Sequence, residues 1–190
     1  MAVDSPIKLK FSVSSSTDCK SISFSDDTGR YTTSNVTGYG TPNPAITAFT
    51  SATVTVTDPG GNNYIVNVFP ILPADDCTFY KIKNTDLGLG STDSIPDGLY
   101  YFNYTIQGAT YIETASKYIM LDCNVQCCVN KLAAKVETCG CDSKSLQAFS
   151  DAWDMLMAMR NAMACGKTSQ ASEILTYLQG ICEKTGCGCH

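Results

Sequence analysis

Cysteine placement constrains this 190-residue chain most strongly. Of its 11 cysteines, only Cys19 and Cys77 precede residue 120. Cys123, Cys127, Cys128, Cys139, Cys141, Cys165, Cys182, Cys187 and Cys189 crowd the remainder, while all 7 prolines lie before residue 97. Proline interrupts helices and tolerates turns and strand edges. The shift therefore predicts two units, residues 1–121 and 122–190, with a boundary near 120–124.

The first unit reads as strands. Ile7, Leu9, Phe11 and Val13 alternate with polar residues, the period of a half-buried strand. Val54 and Val56 alternate with Thr53, Thr55 and Thr57. Asp58-Pro59-Gly60-Gly61 then turns the chain, and residues 63–69 return, which predicts a hairpin. Residues 19–24, 78–83, 99–106 and 111–121 are further candidates, the third introduced by the turn Pro96-Asp97-Gly98. Short strands punctuated this way predict an immunoglobulin-like β-sandwich.

The second unit reads as three helices. Val125, Cys128, Val129, Leu132 and Val136 share one helical face. Leu146, Phe149, Trp153, Leu156, Met157 and Met163 form a stripe over about 143–164, and Ile174, Leu175, Leu178, Ile181 and Cys182 a third. Asp142-Ser143 and Thr168-Ser169 are placed to cap two helix starts, and Gly166 to end the middle helix. The short link at 165–168 makes the last two helices antiparallel neighbours. The expected fold class is thus α+β: an N-terminal immunoglobulin-like sandwich followed by a Cys-rich three-helix unit. On the middle helix, Met155 and Met159 fall away from the Trp153 stripe, so this helix is expected to bury two faces, one beneath a neighbouring subunit. Trp153, Met155 and Met159 are therefore the interface candidates.

Spacing leaves the cysteine chemistry open among reduced thiols, disulfides and metal. Cys139, Cys141, Cys187, Cys189 and His190 sit at ends that an antiparallel hairpin brings together, so they are candidate zinc ligands, although paired C-x-x-C knuckles are absent. Disulfides such as Cys141 to Cys182 fit the same geometry. Cys128 and Cys182 also suit apolar packing.

Other motifs read more simply as structure. Gly166-Lys167-Thr168 lacks the preceding glycine of a phosphate loop, with Asn161 in its place. Asp26-Asp27 and Asp75-Asp76 read as solvated loop acids without EF-hand spacing. Asn35-Val36-Thr37 and Asn103-Tyr104-Thr105 match the glycosylation pattern by chance. The opening residues lack the apolar core of a signal peptide, and no run is apolar enough to span a bilayer. A net charge of −5 disfavours a nucleic-acid surface. The single His is the last residue, and no hydrolase, zinc-protease or dinucleotide motif appears, so no enzymatic activity and no resident cofactor is expected.

The stretch from Pro96-Asp97-Gly98-Leu99-Tyr100 through Tyr118-Ile119-Met120-Leu121-Asp122-Cys123-Asn124-Val125-Gln126-Cys127-Cys128 carries a resemblance, together with Cys139-Gly140-Cys141, the Ala-rich helix at 151–164, Cys165-Gly166 and Ile181-Cys182. It resembles small virion proteins of tailed phages that infect Bacteroidetes, including crAss-like phages. The likeness spans residues 96–182 and leaves the Cys187-Gly188-Cys189-His190 end outside it. It implies a non-enzymatic structural protein at the head–tail junction or tail, localised in the virion. Its partners would be copies of itself and other neck or tail proteins, in a ring or collar of about twelve copies. Two rivals stand beside it. One is a virion binding module recognising carbohydrate or a surface protein through Tyr31, Tyr39, Tyr64, Tyr100 and Tyr101. The other is a small enzyme or metal-dependent regulator using the Cys-rich end.

Overall fold

The computed structural model describes residues 9–27, 31–32, 41–42, 49–68, 79–108, 112–139 and 143–186. Its architecture is α+β, with antiparallel sheets first and helices last. The strands are β1 (Phe11–Ser15), β2 (Ser21–Asp26), β3 (Tyr31–Thr32), β4 (Thr41–Pro42), β5 (Phe49–Thr57), β6 (Asn63–Asn67), β7 (Phe79–Lys83), β8 (Gly98–Gly108) and β9 (Ile112–Leu121). One sheet runs β1-β2-β7 and the other β6-β5-β8-β9, with β3 and β4 forming a small ladder of their own. The helices are α1 (Cys123–Cys139), α2 (Ser143–Ala164) and α3 (Thr168–Thr185).

Alternation drives the two large sheets together. Val54, Val56, Phe102, Tyr104 and Ile106 on one sheet, and Ile22, Phe24 and Ile82 on the other, are completely buried in a shared core. Each such side chain contributes about 1.5–3 kcal/mol by leaving water. Phe11, Phe24 and Tyr104 pack as a ring cluster, with centroids 4.9 Å apart for Phe24 and Tyr104. The Tyr104 hydroxyl donates to the carboxylate of Asp26 at 2.9 Å. Asp26 is therefore a buried strand-end acceptor rather than the solvated loop acid its sequence suggests. The expected hairpin forms, with Val54 opposite Val66 and Val56 opposite Tyr64. Asp58 organises its turn: its carboxylate accepts from the Asn62 amide N–H, the Asn62 side chain and the Tyr64 hydroxyl. Burial opposes ionisation there, yet these donors prevail and hold the carboxyl below its usual range. The turn rests on β8, where a Cβ at Gly98 would lie 2.2 Å from the Pro59 ring, so only glycine fits.

Alternation on the second unit is helical. Val125, Cys128, Val129 and Leu132 from α1, Ala152, Leu156, Met159 and Ala162 from α2, and Ala171, Leu175, Leu178 and Cys182 from α3 form a separate core. Cys128 and Cys182 occupy the apolar faces expected of them, but they are bonded to each other, with Cα atoms 6.0 Å apart. That bond rules out the Cys141–Cys182 pairing. Gly166 ends α2 in the left-handed conformation (φ 72°), where its N–H and that of Lys167 donate to the carbonyls of Met163 and Ala162. The expected side-chain cap on α3 does not form. Lys167 holds the cap position without one, and Thr168 is already helical.

The junction between the units is braced covalently and by hydrogen bonds. β9 ends at Leu121 and α1 starts at Cys123. Cys123 is bonded to Cys19, 104 residues away. Cys19 has a left-handed backbone (φ 58°), a conformation that costs about 1–2 kcal/mol outside glycine, and its carbonyl accepts the Ile95 N–H at 2.7 Å. Asp97 caps α1 from outside the helix: its two oxygens accept the N–H groups of Asn124 at 2.9 Å and Val125 at 2.7 Å. Asn124 extends the bracing through its side-chain amide, which donates to the Ile95 carbonyl and to Asp97. Burial, aided by the Asp122 charge, outweighs these donors and raises the Asp97 carboxyl above its usual value. Arg160 of α2 completes the joint with an ion pair to Asp122 at 2.8 Å and a hydrogen bond to Gln126 at 2.7 Å.

Candidate interaction surfaces

The structure separates the interface candidates on α2. Met159 is completely buried in the chain's own helical core, and Met155 packs against it half-buried. Trp153, a member of the core stripe and also an interface candidate, is 45% exposed, and Leu146, on the same stripe, is 46% exposed. The reason is the seam. Ala152 and Ala162 lie on the α2 stripe that faces inward, with Ala171 in the same core, so the helices approach closely along small side chains. Leu156 and Met159 fill the space between, and an indole does not fit such a seam. Trp153 is displaced to the shoulder, where its ring meets Phe149 at 6.2 Å. Leu146, Phe149, Trp153 and Met157 thus form one strip along the helix, at spacings of three and four residues.

A second surface is the outward face of the β6-β5-β8-β9 sheet. Register assigns it rung by rung. Leu99 pairs with Met120, Tyr101 with Tyr118, Asn103 with Ser116 and Thr105 with Thr114. Thr53, Thr55 and Thr57 continue these rungs on β5, and Asn67, Ile65 and Asn63 on β6. No outward side chain on these four strands is charged, in a chain that is 16% charged. The charges of β9 point the other way: Lys117 sits opposite Phe102 and Glu113 opposite Ile106. Lys117 crosses to the other sheet, where its ammonium donates to the Phe11 carbonyl and lies 4.5 Å from the Phe11 ring centroid. Burial there lowers its pKa, with the Asp27 charge opposing. An inward lysine on an edge strand discourages another strand from adding on.

The tyrosines expected to stack on sugars are dispersed. Tyr100 is buried and donates to the Pro96 carbonyl at 2.9 Å, and burial raises its pKa strongly. Tyr64 faces inward and is engaged by Asp58. Tyr39 lies outside the described residues, and of Tyr31 only the backbone is described. Among those whose side chains are described, Tyr101 alone is placed on the outward face, and it pairs with Tyr118, which sequence reasoning missed. Their ring centroids are 4.9 Å apart, and Tyr118 is 57% exposed. Parity held the signal: in Leu99-Tyr100-Tyr101-Phe102-Asn103-Tyr104, an outward Asn103 requires an outward Tyr101.

The zinc candidates Cys141, Cys187, Cys189 and His190 lie outside the described residues, and of Cys139 only the backbone is described. Among the described residues, no group of three or more His, Cys, Asp or Glu side chains is gathered as metal ligands. Cys19, Cys123, Cys127, Cys128 and Cys182 are all disulfide-bonded, and Cys165 is a free, exposed thiol at the α2–α3 turn. Asp75 and Asp76 also fall outside the described residues, as does the site at Asn35. Asn103 stands in the middle of β8. No helix among the described residues is long and apolar enough to cross a membrane. Comparison with family models, with curated proteins and with solved structures returned no match to this chain.

Proposed function

We propose that this chain is a non-enzymatic structural protein of a tailed-phage virion, assembling as a ring or collar at the head–tail junction or in the tail. The observation that carries the reading is the apolar strip on α2 in which Leu146 and Trp153 stand exposed beside Phe149 and Met157, which pack partly buried against the helical core, on a helix whose other face is already buried. A strip of this kind is stabilised when a neighbouring subunit covers it. The joint supports the same reading. Cys19–Cys123, the Asp97 cap and the Arg160–Asp122 pair fix α1 and α2 to the sheets, so a contact made by the helices is transmitted to the sheets. Heterologous contacts between such bodies close into a ring when the rotation between copies closes. In this reading the two facing sheets are an immunoglobulin-like sandwich and the helices a Cys-rich adhesive unit. Disulfides suit a virion surface, which persists in an oxidising medium.

A cryo-electron microscopy map of native particles tests the proposal. The expected result is a symmetric ring near the head–tail junction or in the tail into which this chain fits, with α2 at the contact between copies. Particles that lack the chain would overturn it.

A further inference from the structure

We infer that the outward face of the β6-β5-β8-β9 sheet is a binding surface for a neutral glycan, with Tyr101 and Tyr118 as its stacking platform. This inference stands whether or not the chain builds a ring. Three observations carry it. The face bears hydroxyl and amide side chains on successive rungs and no charge. Its two tyrosine rings lie 4.9 Å apart at one end, and Tyr118 is more than half exposed. The next rung beyond them, at Met120, packs against the helical core, so the platform sits where the face meets the helices.

Each alternative occupant meets a physical obstacle. Nucleic acid needs cations against its phosphates, and this face has none on a chain of net charge −5. A second copy packing sheet on sheet requires interdigitating apolar side chains, whereas here the hydroxyls and amides would be buried without assured partners. A charged protein surface would find no complementary charge. A neutral glycan meets none of these obstacles. Its hydroxyls donate and accept, matching Thr, Ser and Asn side chains, and its C–H faces lie against tyrosine rings whose hydroxyls stay hydrated. Ile65 stands on the outer strand β6 at the end of the Thr55–Asn103 rung, and Ile112 on the outer strand β9 at the far rung opposite Gln107.

Affinity electrophoresis of the intact, oxidised chain in native gels tests this, with dextran, mannan or laminarin as neutral probes and alginate as a polyanion. At least one neutral polymer is expected to retard the chain, while alginate does not. Tyr118→Ala and Thr55→Lys should each weaken retardation at least tenfold, whereas Tyr118→Phe should retain most of it. Thr55→Lys places a charge on the face without removing a ring, so it keeps the test valid if Tyr118→Ala fails to fold. Sedimentation of Thr55→Lys runs alongside and should match the wild type. The inference is overturned if no neutral polymer retards the chain, if alginate alone does, or if the alanine and lysine variants bind as the wild type does. It is equally overturned if Thr55→Lys dissociates an oligomer, which would make a second copy the occupant.

Discussion

The two halves of the molecule reach stability by different routes. The sheet half buries large side chains: Phe24, Phe102, Tyr100 and Tyr104 are all within its core. The helical half is smaller, and its core relies on alanines, Leu132, Leu156, Leu178 and Met159. A helical unit of that size buries too little apolar surface to be secure alone, and small units commonly add cross-links. Here a disulfide ties α1 to α3 across 54 residues of sequence, and another ties α1 to the sheet half. Among the described residues, packing alone joins the facing sheets, whereas packing plus a covalent link between α1 and α3 joins the helices.

That contrast can be broken from either side. In the sheet half, Phe24→Ala removes a fully buried ring shared with Phe11 and Tyr104. It should cost about 3–5 kcal/mol, measured as a shift in the urea midpoint at unchanged slope. In the helical half, the double replacement Cys128→Ala with Cys182→Ala should cost about 2–4 kcal/mol. Hydrogen exchange should show where: amides of α1 and α3 should lose protection while those of β5 and β8 keep theirs. Equal loss in both halves would mean that the joint couples them into one cooperative unit, and the comparison would have to be redrawn.

What could be read from sequence follows the range of the interactions. The β5–β6 hairpin and the span of α2 rest on periodicities of two and of three to four residues, which are local. The Asp97 cap reaches across 27 residues and the Cys19–Cys123 bond across 104, and no local pattern encodes either. The core-stripe placement of Trp153 and the interface assignment of Met159 fail for a different reason. Periodicity marks where apolar residues recur, but it weighs Ala152 and Ala162 lightly, and those small residues define the seam. The Tyr101–Tyr118 pair is set by the register between β8 and β9, which neither strand's own pattern states.

The account turns on a chain that acts through the surfaces it offers, above all the α2 strip. Sedimentation of the oxidised wild type beside Trp153→Glu tests this most directly, with circular dichroism confirming that both retain sheet and helix. The wild type should sediment as a multi-copy species and the variant as a monomer. A wild type that stays monomeric at the highest attainable concentration, or a variant that assembles equally well, would contradict the account.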